Sequence, residues 1–175
     1  HSCPAWGKCC VPETDLKIRP ATEEDSALLL EFIRALAEFE KMADQVEATE
    51  ATVRETLFGE NRRAAVEGII GEWRGEPAAF AIYFHNYSTF TGRAGLYLED
   101  LFVKPEYRRH GIGRQMLAHL ANIAVERNCP RFEWVALDWN QSAADFYETL
   151  GAEQLNGWQS FRISGEPLKK LAQTA

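Results

Sequence analysis

The sequence is poor in three things that would place it in a specialised class: long apolar runs, concentrated basic charge, and cysteine in its body. Its apolar runs are only a few residues long, far below the roughly 20 needed for a helix to cross a bilayer. A membrane-spanning chain is therefore excluded at this level. Lys and Arg number 19 against 26 Asp and Glu, a formal net charge of −7. Nucleic-acid binding needs a concentrated basic surface, so the charge favours cationic or neutral small partners. Of four cysteines, Cys3, Cys9 and Cys10 lie in the first ten residues and Cys129 stands alone, which is no disulfide framework. His1, Cys3, Cys9 and Cys10 match no standard zinc spacing. His85, His110 and His119 do not form one either, so no metal is expected. Residues 1–15 lack the apolar segment and small-residue cleavage site of a signal peptide, and the chain opens on His1 rather than Met. They read as a tag or leader remnant, with residues 16–175 as a single domain. Without an export signal, a reducing cytoplasm is the expected compartment.

What is present is an ordinary globular balance, 46% hydrophobic and 26% charged over 175 residues, enough to bury roughly 70% of the unfolded surface. Lys17–Pro20 reads as a short strand. Thr22 precedes acids and a helical apolar spacing through Leu29, Phe32, Ile33, Leu36 and Ala37 to about Glu40. Thr49 caps a second helix that stops at Gly59. From Ala64 the period changes. Ala64–Glu72 and Ala78–Tyr87 form a hairpin about the turn at Trp73–Pro77, and Gly95–Val103 is a third strong strand. The stripe Ile112, Met116, Leu117, Leu120, Ile123 and Ala124 marks a helix ending near Asn128. Arg131–Leu137 is a strand, Asn140–Leu150 a helix, Gln159–Ile163 a final strand, and Glu166–Ala172 a short terminal helix. There is no internal repeat.

The chemistry concentrates in Arg108-Arg109-His110-Gly111-Ile112-Gly113, between a strand and a helix. Glycines let a ligand approach the backbone, and a helix start offers unpaired N–H groups to an anion such as pyrophosphate. A P-loop requires Lys and Ser or Thr after its second glycine, where this chain has Arg114-Gln115. A dinucleotide fingerprint requires Gly or Ala where Met116 stands. Taken alone, the segment reads equally as a plain strand-to-helix turn. Glu99 and Asp100 interrupt an apolar strand and face opposite sides on a period of two. A buried carboxylate there suits a base or a cation site, or a structural ion pair. Tyr147 beside Phe146, taken alone, reads as core.

Context resolves these alternatives. Arg108-x-x-Gly111-x-Gly113 after Leu98-Glu99-Asp100-Leu101-Phe102-Val103 resembles the coenzyme A loop of the GNAT superfamily of N-acetyltransferases. Asn140 to Ala152 resembles that family's second signature, an Asn before a helix ending Phe-Tyr-x-x-x-Gly. Ile18-Arg19-Pro20-Ala21-Thr22 resembles the family's opening. Leu36–Glu40, Tyr97–Asp100, Gly111–Gly113 and Asp138–Asn140 are similar to the spermidine/spermine (diamine) and thialysine N-acetyltransferase subgroup. The similarity covers residues 16–172.

The resemblance implies a mixed α+β fold: a central, mostly antiparallel sheet with two splayed parallel strands and about four helices. It implies acetyl-CoA as co-substrate, direct transfer to a primary amine of a small cationic substrate, and a homodimer. Leu101, Phe102 and Val103 would pair with the pantetheine arm. Arg108, Arg109, His110, Gly111, Ile112, Gly113 and Arg114 would wrap the pyrophosphate, with His110 contributing backbone. Asn140 and Ala143 would line the coenzyme near its thioester. Tyr147 would reach the sulfur as general acid. Glu99 would act as base, with Phe39, Glu40 and Glu99 lining the amine pocket. Where the polyamine enzymes carry an Asp and a Trp, this chain has Ser88-Thr89-Phe90, which points to substrates shorter than spermine. Transfer to a protein N-terminus or lysine, and a non-catalytic acyl-CoA binding module, are the rival readings.

Overall fold

In the computed structural model, residues 15–60 and 65–174 are described. The cysteine-rich start and Ala64, the first position of the expected second strand, lie outside them. The chain forms two compact units, one up to Val135 and one from Ala136.

In the first unit, β1 (Leu16–Pro20) leads through a short 3-10 turn into α1 (Ser26–Phe39) and then α2 (Glu50–Phe58). Next come β2 (Glu67–Trp73), β3 (Glu76–Ser88) and β4 (Arg93–Val103), followed by α3 (Ile112–Glu126) and β5 (Phe132–Trp134). The strands lie in sequence order, antiparallel except for the parallel pair β4–β5. The turn between β2 and β3 puts Arg74 and Gly75 at φ 52° and 88°, the tight primed turn that matches strand twist.

Each face of the sheet has its own helical cover. Leu29, Leu30 and Phe32 of α1, with Val53 and Leu57 of α2, pack on Ile70, Phe80, Ile82 and Phe102. The Phe32 and Phe80 rings stack at 5.1 Å. Burying each such side chain contributes roughly 1.5–3 kcal/mol. Gly71 alternates with Ile70 and faces the other way. A Cβ there would stand 3.0 Å from the Met116 sulfur, so the missing side chain lets α3 close on the sheet.

Thr22 was expected to cap the first helix; it stands at the N-cap of the 3-10 turn that leads into α1 and closes a capping box with Asp25. The Asp25 side chain carries most of the bonding. Its carboxylate accepts the Thr22 N–H at 2.8 Å and receives Arg19 Nη1 and Nη2 at 2.7 and 2.9 Å. Arg19 Nε donates to Glu72 at 2.7 Å, joining β1, β2 and the start of α1. Thr49 caps α2 as expected, its hydroxyl accepting the Thr52 N–H at 3.2 Å.

The second unit holds α4 (Gln141–Thr149) and α5 (Gly165–Ala172), so the described residues form five α-helices where about four were expected. The strand expected at Gln159–Ile163 is not formed. No ladder partner meets that segment, and Phe161 is 90% exposed. An apolar–polar alternation makes a strand only where a neighbouring backbone completes its hydrogen bonds. Among the described residues no helix is long and apolar enough to cross a membrane.

The Arg19 guanidinium holds the Asp25 carboxyl down at about 2, below its ordinary value near 3.9. A depressed carboxyl stabilises the fold above its unfolded pKa and loses that contribution as pH falls through the folded one. Asp25→Asn should therefore cost about 2 kcal/mol at pH 7. Urea unfolding should show this gap closing between pH 4 and pH 2.

Candidate active site

The site is built where the parallel pairing of β4 with β5 ends. β5 pairs with β4 at Leu96, Tyr97 and Leu98 only. From Asp100 to Val103, β4 has its ladder partner on the β3 side alone. The strand expected at Arg131–Leu137 is cut to Phe132–Trp134 because the parallel partners part there.

Hydrogen-bond phase decides which groups face the gap. Leu96 N–H points to β5, donating to Arg131 O at 3.0 Å. Lys104 N–H points the other way, donating to Ala78 O at 2.9 Å. N–H and C=O of one trans peptide point in opposite directions, so Val103 C=O faces the β5 side. Alternation along the strand places the Leu101 backbone there too. Regular alternation from Leu96 would instead have chosen Asp100 and Phe102. The difference is a β-bulge: Asp100 opposes Ile82 and Leu98 opposes Tyr83, which leaves Glu99 as the extra residue. Bulges re-aim side chains and are common beside active sites. The expectation that Glu99 and Asp100 simply alternate is therefore corrected. Glu99 is exposed on the bulge, and Asp100 is half-buried.

Asp100 is the carboxyl raised most by its surroundings among those beside this edge. Its burial, with Glu99 and Glu40 close by, pushes its carboxyl up to about 6. Glu40 stands at the C-terminal cap of α1, where the helix dipole favours cations over anions. Burial raises its carboxyl as well. Three carboxylates thus share one neighbourhood. Phe39 lies beside them, its ring 6.4 Å from that of Phe102. Sequence reasoning noted Asp100 but assigned it no part. The signal was the adjacent acid pair in an apolar strand.

The loop after β4 has the backbone of an anion cradle. Arg109 and Gly111 adopt φ 68° and 73°, and Gly111 precedes the first turn of α3. A Cβ on Gly111 would meet nothing within 4 Å, and one on Gly113 only Val103 Cγ2 at 3.8 Å. The space above both glycines is open, and the first N–H groups of α3 have no intrahelical partners. The shape and donors fit a pyrophosphate. Ile112 is 1% exposed, so it anchors α3 by its side chain and leaves only backbone to a ligand. Arg109 and Arg114 are exposed. Arg108 turns inward: Nε donates to Val103 O at 3.0 Å, and its guanidinium lies 4.8 Å from the Phe39 ring and 5.5 Å from that of Phe102. It ties the end of β4 to the end of α1. Phe102 is buried in the core, while Leu101 and Val103 are half-buried.

In the second unit, Asn140 caps α4, its Oδ1 accepting the Ala143 N–H at 3.2 Å. Tyr147 lies on α4 with its ring 5.7 Å from Phe146, and burial pushes its phenol above the ordinary value. Ser88 is buried at the β3–β4 turn, where its hydroxyl accepts the Thr91 N–H at 3.4 Å. A cavity of about 290 Å³ lined by Leu57, Tyr83, His119 and Arg127 shares none of these residues.

Asp100 supplies a pH test. A carboxyl raised to about 6 binds its proton more tightly folded than unfolded, so stability falls as pH rises from about 4 through 6. Asp100→Asn should raise the Tm at pH 7.5 and leave it near wild type at pH 4. The gain should reach at most about 3 kcal/mol, reduced by solvent screening.

Comparison with known proteins shows the family. The chain is 44% identical over 164 residues to a thialysine N-epsilon-acetyltransferase of Sus scrofa, covering 89% of this chain and 96% of the relative. It is 35% identical over 161 residues to that of Caenorhabditis elegans, covering 90% and 98%. Among solved structures, an integron cassette protein from the mobile metagenome of V. cholerae superposes with a TM-score of 0.75 at 28% identity, covering 91% of this chain and 99% of that one. The acetyltransferase (GNAT) family matches residues 30–152, a stretch that runs through β4, the glycine loop and α4. With a family match over most of its length and relatives aligned over about nine tenths of it, the chain belongs to the GNAT acetyltransferase family and is an N-acetyltransferase.

Proposed function

We propose that this enzyme transfers the acetyl group of acetyl-CoA to a primary amine of a small dicationic amino compound: thialysine, a lysine analogue or a short diamine. The observation that carries the proposal is the meeting of Glu40, Glu99 and Asp100 beside the unpaired edge of β4. Exposed Glu99 and the partly buried Glu40 and Asp100 repel one another, and a cationic guest relieves that repulsion. The relatives named for thialysine support the same class. Ser88, where the polyamine enzymes carry an acid, supports substrates shorter than spermine.

Each residue then has a part. Bound acetyl-CoA supplies the activated acetyl group. The loop from Arg108 to Arg114 holds the pyrophosphate mainly through backbone N–H groups at the start of α3. The Leu101 and Val103 backbone offers strand-like pairing to the pantetheine arm. Leu101 N–H is the donor turned toward the gap and polarises the acyl oxygen. The attacking amine must lose its proton, and Glu99, exposed on the bulge, accepts it directly or through water. Asn140 and Ala143 line the coenzyme near its thioester. Tyr147 keeps its phenolic proton at neutral pH, which suits a general acid for the departing sulfur. We further propose one catalytic domain over residues 16–175, a homodimer and a cytoplasmic location, with neither nucleic acid nor membrane as partner.

Two measurements check this reading. Acetyl-CoA at 100 times its Kd should stabilise the fold by about 2.7 kcal/mol, with no such shift from NAD or ATP. Thiol release over a panel of amines should then favour thialysine, lysine analogues and short diamines over spermine. A preference for aromatic amines, neutral amino sugars or peptide N-termini would overturn the substrate class. Separately, Tyr147→Phe should lower kcat roughly 100-fold and leave the amine KM nearly unchanged. Unaltered kcat across pH 6–9 would return Tyr147 to a packing role.

A further inference from the structure

We propose that the His110 side chain is a positioning residue for the acetyl-CoA loop, pinning the turn that aims the loop's N–H groups. This rests on reading residues 108–114 as that loop. Sequence reasoning allotted His110 only its backbone. The structure gives the imidazole three attachments. Nδ1 lies 3.1 Å from Tyr107 O and 3.0 Å from Arg108 O. Both partners are carbonyl oxygens and can only accept, so Nδ1 carries the proton, whether the ring is neutral or cationic. The ring also packs on Trp73, centroid to centroid 5.0 Å. Trp73 is itself fixed at the end of β2 beside the tight turn, with the Arg74 guanidinium 5.6 Å from its indole. Arg74 in turn pairs with Asp15 at 3.0 Å.

These attachments matter because of the backbone they bracket. Arg109 sits at φ 68°, a left-handed conformation that is unfavourable for a non-glycine residue. Such a residue stays there only where its surroundings over-determine it. His110 follows Arg109 directly and bonds back to the two carbonyls before it, closing the turn around the strained residue. Gly111, next in line, is left-handed again at φ 73°. Left-handed residues on either side of His110 gather successive N–H groups into a concave anion site. The imidazole therefore acts on the pyrophosphate through the backbone, with no contact of its own and no need to change charge.

Three variants separate this role from general stability. His110→Asn keeps a donor at the Nδ1 position, His110→Gln moves it to the Nε2 position, and His110→Ala removes it. The Kd for CoA by calorimetry and the KM for acetyl-CoA should rise about tenfold in the Ala and Gln variants. The Asn variant should stay within about threefold of wild type, with kcat and the amine KM little changed in all. In the free wild-type protein, ring 15N shifts should show the proton on Nδ1. If His110→Ala fails to fold, the Asn and Gln pair carries the comparison. A neutral ring protonated at Nε2, an Ala variant that binds CoA as wild type does, or Asn and Gln weakened equally would each overturn the positioning role. Wild-type protein that does not bind CoA would overturn the acetyl-CoA reading and this role with it.

Discussion

Parallel pairing between β4 and β5 ends after three residues, and the working part of the molecule depends on that interruption. A parallel ladder carried through to Val103 would have consumed the hydrogen bonds of Leu101 and Val103. Because the strands part, those groups face a gap. The bulge at Glu99 sets the phase: it moves the outward-facing backbone onto Leu101 and Val103 and lifts Glu99 out of the ladder. One extra residue in one strand thus decides both which amide faces the gap and where the carboxylate stands.

Two carboxylates show how the same chemistry serves stability in one place and function in another. Asp25 has Arg19 against both oxygens and the Thr22 N–H besides, and its carboxyl is held at about 2. Asp100 has burial and like charges from Glu99 and Glu40, and its carboxyl rises to about 6. The first stores its electrostatic energy in the fold. The second carries a cost that a bound cation removes. The C-terminal end of α1 adds its own partial negative charge to the second group, so helix, strand and bulge bias this corner toward a cationic amine.

The loop after β4 shows a different economy. The surface proposed to face the pyrophosphate is backbone, and the side chains of Ile112, Arg108 and His110 hold that backbone in place from three directions. Ile112 is sunk in the core, Arg108 is bound to Val103 O and stacked over Phe39, and His110 is bonded to the preceding carbonyls. Thus residues that read as ligand contacts in the sequence act in the structure as the loop's supports.

Much of this was legible in the residues. The 3.6-residue apolar spacing of α1 and α3, the turn residues at Trp73–Pro77, the Thr49 cap and the glycine pattern at 111 and 113 each follow from local rules of backbone and side-chain geometry. The two signatures in the right order pointed to the family. Other features are relations between distant segments, which local rules do not encode. The bulge at Glu99 arises from register against β3. The early end of β5 arises from strand divergence. The absence of a strand at Gln159–Ile163 arises because a strand needs a partner as well as a pattern. Asp100 differs from Glu99 only in surroundings, since its raised carboxyl comes from burial and from Glu40, sixty residues earlier in the chain. The sequence determined which groups were available and how each segment prefers to fold, because those are properties of neighbouring residues. Tertiary structure alone decided which carboxylates share a corner and which amides face the gap, because those depend on long-range register and on exclusion of water.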